Sequence, residues 1–295
     1  MRPETTVRAN QNLEIKKKKN KRTFTNLLIE GLVVLFSAVV FLIPFYFIII
    51  NSFKTNEEAS RMSISWPTEF RIIENLTEVL NARNGMLLLA YFNSTVITLT
   101  SITILVFVCS MTAFVLQRRS DKKTNGIAFV FISGLMVPTA IVPTIWVLDK
   151  LHLFKTLPGI ILIMVAITVP FAIVLYRGFI ATIPREIDES AIIDGCGGWM
   201  LFLKIIFPLL KPIHATVIII SAVNIFNDFV HPLYFFPGAE NATLQLTLYN
   251  FMSMYETSWN LLFANVLLIT IPPFILFLFF NNRIVSGMTA GSVKG

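Results

Sequence analysis

The sequence predicts an all-α integral membrane protein with six transmembrane helices, and two observations support this prediction. Of the 295 residues, 55% are hydrophobic and only 14% are charged, a composition far from that of a soluble domain. Five uncharged stretches each approach or exceed the ~20 residues that cross a bilayer as a helix, and a sixth is interrupted only by Asp228. These runs are continuous, whereas a membrane β-barrel alternates apolar and polar residues. The predicted spans are residues 31–50, 94–116, 124–148, 156–176, 212–235 and 257–282.

The distribution of Lys and Arg predicts the orientation of these spans. A basic N-terminal segment, residues 1–23, precedes the first span, and basic residues also follow the second, fourth and sixth spans. Short cytoplasmic loops are enriched in Lys and Arg. We therefore expect both termini to be cytoplasmic and residues 52–90 and 236–259 to be external. This bias also accounts for the net charge of +7 without nucleic-acid binding.

Three prolines lie within the third and fourth predicted spans: Pro138, Pro143 and Pro170. Proline inside a helix removes a hydrogen bond and kinks the helix. We expect kinked spans here, which suit either a pore that changes shape or static packing.

A polar loop, residues 182–212, separates the fourth and fifth spans and predicts a surface helix of about three turns. Pro184 fits the first turn, where a missing N–H is harmless, and Gly195 fits the left-handed residue that ends a helix. Acidic side chains follow Pro184 near the positive end of the helix dipole. These acidic residues are Glu186, Asp188 and Glu189.

One face of this helix has a small centre, which favours close approach by a partner protein. The three-and-four spacing of a helix predicts that this face contains Ile187, Ser190, Ala191 and Asp194. A second helix, about residues 199–207, is expected to lead into the fifth span at Pro212.

The loop residues Glu189-Ser-Ala-Ile-Ile-Asp-Gly195, followed by Pro208-Leu209 and Pro212, resemble the Glu-Ala-Ala loop of ATP-binding-cassette (ABC) importer permeases. Ser190 replaces the usual second Ala, which is a small-for-small change. Two further stretches resemble the carbohydrate branch of that family, specifically the second permease of maltose-type transporters. They are Phe226-Asn-Asp-Phe229 and the C-terminal Gly287-Met-Thr-Ala-Gly-Ser-Val-Lys-Gly295.

The resemblance implies a type I ABC importer permease fold over residues 24–295, with a cytoplasmic tail at residues 284–295. It implies a multi-pass protein of a prokaryotic cell membrane, with a second homologous permease, a cytoplasmic ATPase dimer and an extracytoplasmic solute-binding protein as partners. The loop helix would be the coupling helix, and the tail would also contact the ATPase. The implied ATPase-docking residues are Glu189, Ser190, Ala191, Asp194 and Gly195, and those of the tail are Thr289, Gly291 and Lys294.

Polar side chains within the fifth span predict either a translocation path or an interface with the second permease. Asn224, Asn227 and Asp228 lie at or beyond the middle of this span. A charge at membrane depth is expensive and usually faces a cavity or a partner. Asn and Asp also match the hydroxyl groups of a sugar. Both alternatives remain open at this point.

The chain has no phosphate loop, nucleophile elbow or metal motif, and His152, His214 and His231 are scattered. We therefore expect no enzyme activity, metal or cofactor on this chain, with ATP and Mg²⁺ on the partner ATPase. The predicted function is import of a carbohydrate, an oligosaccharide by the resemblance. The alternatives are import of another solute, such as glycerol phosphate or a polyamine, or ATP-independent secondary transport.

Overall fold

A computed structural model describes the backbone of residues 4–252 and 257–290, and the side chains of residues 26–252, 257–275 and 278. The described residues are mostly helical, and the isolated bridge between Met252 and Thr257 is their only β-type pairing. The helices are α1 (Glu4–Ser52), α2 (Asn56–Ser60), α3 (Ile72–Arg118), α4 (Lys122–Ser133), α5 (Ile141–Lys150), α6 (Leu157–Ile180), α7 (Glu186–Ile193), α8 (Gly198–Met200), a π-helical stretch (Leu201–Ile206), α9 (Phe207–Leu209), α10 (Lys211–Phe226), α11 (Val230–Phe235), two 3₁₀ turns (Ala239–Asn241 and Gln245–Phe251) and α12 (Trp259–Ala290).

Three helices of the described chain are long and apolar enough to cross a membrane. They are Asn26–Ser52 of α1, α3 and α6, and the bent pair Gly198–Leu209 and Lys211–Phe226 can be counted as a fourth. The described part of α12 adds a shorter apolar helix, Trp259–Ile275. A multi-pass helical membrane fold is therefore confirmed, and the count of six spans stays a prediction.

The third predicted span is not one kinked helix, because α4 ends at Ser133 and α5 begins at Ile141. Pro138 lies in this break, where its missing N–H cannot continue a helix. Gly134 precedes the break and packs against α6, since a Cβ at this position would lie 3.0 Å from Cγ of Pro170. The prediction of a continuous third span was wrong, whereas Pro170 lies inside the continuous helix α6.

The fifth predicted span is also interrupted, because α10 ends at Phe226 and α11 restarts at Val230. By contrast, α1 shows no boundary near residue 23, since its helix runs from Glu4 through the basic segment into the first span. Within α3, residues 82–85 have non-helical backbone angles, which divides that helix into a short first part and a long second part.

The core forms where α3 packs against α6, with α10 lying across both. Membrane helices approach closely through small residues, because lipid supplies no hydrophobic driving force between them. Ala113 of α3 and Ala172 of α6 are fully buried in this core. Gly159 is required at the start of α6, because a Cβ there would lie 2.0 Å from the carbonyl oxygen of Leu153.

Buried polar side chains join the helices at the end of the bundle opposite the 182–212 loop. The Asn75 amide donates to the carbonyls of Ser52 (2.9 Å) and Lys54 (3.0 Å), and its oxygen accepts a bond from Asn260 (2.8 Å). The buried Lys54 ammonium donates to the carbonyl of Ser63 at 2.7 Å. Burial lowers the pKa of Lys54, and the Glu58 carboxylate offsets part of this effect. Asn75 thus links α1, α3 and α12.

We predict that Asn75→Ala destabilises the protein by about 1–3 kcal/mol, because it leaves buried carbonyl and amide groups without partners. The measurement is the apparent melting temperature of the detergent-purified protein. Asn81→Ala is the matched control, since Asn81 is exposed on the same helix. Equal melting temperatures for the two variants would contradict the linking role of Asn75.

Candidate functional site

The helix α7 has a well-defined C-terminal cap in the 182–212 loop. Gly195 adopts a φ of +83°. Its N–H bonds the carbonyl of Ile192 (3.0 Å), and the N–H of Cys196 bonds that of Ala191 (2.9 Å). These two bonds form a Schellman motif, in which the left-handed residue is usually Gly. The predicted stop at Gly195 is confirmed, whereas the helix begins at Glu186, so Pro184 lies just before the first turn.

An ion pair between Arg118 and Asp188 attaches α7 to the helix bundle. The Asp188 residue is 8% exposed, and its Oδ2 lies 2.5 Å from Nε of Arg118, the last residue of α3. The same guanidinium donates to the carbonyl of Ile183 at 3.2 Å. Arg118 therefore positions both the start of the loop and its helix, a role that the sequence analysis missed.

The structure divides the predicted docking residues between two environments. Glu189, Ser190, Asp194 and Gly195 are exposed on the outer surface of the loop. Ala191 is 5% exposed and packs within the main hydrophobic core. Its contacts within this chain are those of a packing residue, and it does not share an outward face with Ser190 and Asp194.

Large apolar side chains are exposed beside these polar residues, and the sequence analysis did not single them out. Ile193 is 85% exposed, and Ile192 and Trp199 are also exposed. Contiguous exposed apolar side chains commonly mark a protein or membrane contact. We call Glu189, Ser190, Ile192, Ile193, Asp194 and Gly195 the outer loop surface.

A buried hydrogen-bonded pair connects the loop to the membrane helices. The segment Gly198–Leu209 meets α10 at a bend of 74°. At this bend the Tyr176 hydroxyl lies 2.7 Å from Nδ1 of His214, and Nε2 of His214 lies 3.1 Å from the carbonyl oxygen of Phe207. If the hydroxyl donates to Nδ1, a neutral imidazole satisfies both contacts. His214 thus joins α6, the loop segment and α10.

Of the polar residues of the fifth predicted span, Asn224 lies in the last turn of α10, and Asn227 and Asp228 lie in the break that follows. The Oδ1 atom of Asp228 accepts the backbone N–H of His231 at 3.1 Å, and Oδ2 pairs with the His231 imidazole. This carboxylate therefore caps α11. Asn227 accepts a bond from Gln245 at 3.2 Å. The spacing Asp228-x-x-His231 is that of a cap, and it could have indicated the break.

A cavity of about 270 Å³ opens between α6 and α10 beside this break. Its lining includes Asn224 and Asp228, together with Thr168 and the ring of Phe171. The structure thus brings two of the three predicted polar residues to one cavity. It does not bring them to the outer loop surface, because the 16 residues of α10 separate the two regions by about 24 Å.

The remaining predicted site residues lie outside the described side chains. Thr289 belongs to the last turn of α12 by its backbone, and Gly291 and Lys294 lie beyond the described residues. Within the described ranges, no group of three or more His, Cys, Asp or Glu side chains could hold a metal ion.

A broken-helix membrane bundle with a capped, anchored loop helix is the fold of an ABC importer permease. A solved structure shows this similarity of fold: the crystal structure of a bacterial ABC transporter involved in the import of the acidic polysaccharide alginate. One of its chains matches with a TM-score of 0.74 at 18% identity, over 89% of this chain and 97% of that one. The chain itself belongs to the family of binding-protein-dependent transport system inner membrane components, whose sequence pattern matches residues 109–290.

Relatives with assigned names match over nearly their whole length. The melibiose/raffinose/stachyose import permease protein MelC of Bacillus subtilis (strain 168) is 32% identical over 86% of this chain and 91% of its own. The probable starch degradation products transport system permease protein AmyC of Thermoanaerobacterium thermosulfurigenes is 31% identical over 87% and 93%. The family resemblance predicted from the loop motif is therefore confirmed.

We predict that Arg118→Ala destabilises the protein by about 3 kcal/mol, because it leaves the buried Asp188 carboxylate unpaired. Asp188→Asn should have a smaller effect, and the double variant should be less destabilised than the sum of the single ones. The measurement is a double-mutant cycle of melting temperatures. Arg185→Ala, at an exposed loop position, is the control. If the changes in melting temperature caused by the Arg118 and Asp188 substitutions were additive, the result would contradict the ion pair.

Proposed function

We propose that this chain is a permease subunit of an ATP-driven carbohydrate importer and forms half of a heterodimeric pore with a second homologous permease. The relatives named for melibiose, raffinose and stachyose import and for starch degradation products support this substrate class. In this proposal the protein lies in a prokaryotic cell membrane with both termini cytoplasmic, and a solute-binding protein delivers the sugar from outside.

The observation on which this proposal mainly rests is that the outer loop surface lies on a helix attached to the bundle by an ion pair. Its acidic Glu189 and Asp194 can pair with cationic side chains, and Ile192 and Ile193 can enter an apolar cleft. Because Arg118 and Asp188 attach α7 to α3, a force on this surface reaches the bundle. We propose that the partner is a cytoplasmic ATPase dimer, which binds ATP and Mg²⁺, so that this chain needs no cofactor and is not itself an enzyme.

We propose that the His214 junction transmits movement of the docked loop to the membrane path. The segment Gly198–Leu209 contacts α10 through this buried side chain, so displacement of the loop tilts α10. The far end of α10 carries Asn224 and the break at Asn227. A rigid helix can therefore convert closure of the ATPase dimer into rearrangement of the polar break. The tail residues Thr289, Gly291 and Lys294 are proposed to add a further ATPase contact.

The cavity beside Asn224 is consistent with a neutral sugar. Its polar groups can bond hydroxyls, and the ring of Phe171 offers an apolar surface. A site for a phosphate ester would favour Lys or Arg, and the lining of this cavity contains neither. Glycerol phosphate is therefore less well supported as the substrate. The carboxylate of Asp228 is paired with the His231 imidazole. We therefore assign Asp228 mainly to stabilising the break between α10 and α11. Asn224 is the better candidate for substrate contact, and an interface with the second permease is the alternative.

We predict that Gly195→Asp reduces co-purification of the ATPase about tenfold, which corresponds to about 1.4 kcal/mol of lost affinity. A Cβ at Gly195 meets nothing within 4 Å in this chain, but any side chain at a φ of +83° strains the backbone, although Asp tolerates this region better than most residues. A loss larger than that of Gly195→Ala, which also places a side chain at this φ but adds no carboxylate, would report a clash with the partner. The measurement is affinity purification of this chain from its native membrane, with quantification of the co-purified proteins and of sugar uptake.

Gly197→Asp is the matched control, because it adds the same carboxylate at an extended position with open space around it. A second permease, an ATPase and a solute-binding protein should accompany the wild-type chain. Recovery of a stable, active transporter without any ATPase would overturn the proposal. An equal loss of co-purified ATPase in the Gly195 and Gly197 variants would contradict the specific role of Gly195.

We predict that Asn224→Leu lowers sugar uptake at least severalfold while the complex still assembles, because a binding site for hydroxyls discriminates strongly against lost hydrogen bonds. The measurement compares uptake with the amount of second permease that co-purifies. Val223→Leu, at an exposed neighbouring position, is the control. Loss of the second permease would instead assign Asn224 to the interface, and unchanged uptake and assembly would exclude both roles.

A further inference from the structure

A groove lies between the last turns of α3 and the start of the Gly198–Leu209 segment. Its volume is about 330 Å³, within the range of about 300–1,000 Å³ typical of small-ligand sites. The rings of Phe114 and Phe202 pack with centroids 5.8 Å apart along it. We call this feature the Arg119 groove, and its lining residues used here are Met111, Phe114, Val115, Arg119, Trp199 and Phe202.

The Arg119 groove is apolar at one end and cationic at the other. Met111 and Arg119 are eight positions apart on or at the end of α3, which corresponds to about 12 Å along the helix. Arg118 also borders the groove, but its guanidinium is paired with Asp188. Arg119 is exposed, and no carboxylate in the described part of the chain pairs with it.

The surroundings of Arg119 increase the positive charge at this end. Lys122 and Lys123 follow at exposed positions. The intervening Asp121 contributes one negative charge and caps α4, where its two oxygens accept bonds from the N–H and the hydroxyl of Thr124. Residues 119–123 thus carry three positive charges and one negative charge. An anion entering the groove would therefore meet the Arg119 guanidinium, unpaired within the described chain, in a segment of net positive charge.

The position of the groove matches the boundary between hydrocarbon and headgroups. Arg119 follows directly after the membrane-spanning helix α3, whereas Met111 and Val115 lie one to two turns inside it. Trp199 borders the groove with 70% of its surface exposed, and Trp is enriched at membrane interfaces. A ligand with an anionic head and an apolar tail fits this arrangement, because each part meets a matching surface.

We propose that the Arg119 groove binds one anionic phospholipid from the leaflet on the loop side of the membrane. The lipid phosphate pairs with Arg119, and one acyl chain lies along Met111, Val115 and Phe114. The bound lipid fills the space between α3 and the loop segment, next to the Arg118–Asp188 ion pair. The site is separate from the outer loop surface and does not require the substrate to be a sugar.

The test measures quenching of Trp199 fluorescence in the assembled transporter, reconstituted in nanodiscs. The nanodiscs contain phosphatidylcholine plus either brominated phosphatidylglycerol or brominated phosphatidylcholine. The difference between the wild-type complex and a Trp199→Phe complex isolates the signal of this residue. We expect brominated phosphatidylglycerol to quench Trp199 more strongly. Arg119→Gln should weaken its apparent affinity by more than about fivefold, because it removes a direct charge-assisted bond to the phosphate in addition to the effect of one basic residue near an anionic surface.

Lys123→Gln is the matched control, because it removes one charge nearby without altering the lining of the groove. Val115→Phe, which fills the groove, keeps all charges and adds no tryptophan, should abolish the preference for phosphatidylglycerol. Equal quenching by the two lipids would overturn the proposal. The same would follow if Arg119→Gln and Lys123→Gln had equal effects, or if quenching appeared only after removal of the ATPase, which would assign the groove to that partner.

Discussion

The ion pair between Arg118 and Asp188 is the contact on which the functional architecture depends. It joins residues 70 positions apart, at the end of α3 and in the first turn of α7. A loop helix of eight residues has little stability of its own, and without this attachment its orientation would be undefined. The pair also determines which side of α7 faces outward, because burial of Asp188 and Ala191 leaves Glu189, Ile193 and Asp194 exposed.

The break after α10 coincides with a polar contact that satisfies a freed backbone group. Irregular backbone at membrane depth is tolerated where protein or a cavity surrounds it. After α10, Asp228 caps the next helix and Asn227 bonds Gln245. The break between α4 and α5 instead combines Pro138 with the close contact of Gly134 on Pro170. Helix α10 lies between the loop and the first of these breaks.

Much of the candidate site was recognisable in the sequence, and the rest was not for specific reasons. Gly195 was predictable because its requirement is local: a left-handed residue must end the helix. Asn224 and Asp228 were predictable because polar residues are rare at membrane depth. The buried position of Ala191 was missed, since a short helix with small residues on several sides does not reveal which side is packed. Arg118 was interpreted only as a topology signal, because its partner is distant in the chain.

The sequence by itself determined that the protein is a helical membrane protein, where its apolar segments lie, and where the loop helix ends. These properties follow from local hydrophobicity and backbone preferences. Only the tertiary structure decided that the third and fifth predicted spans are broken, that α7 turns its Asp188 side inward, and that His214 joins three segments. Such features depend on contacts between distant residues, whose pairing follows from how the helices pack rather than from the preferences of any one segment.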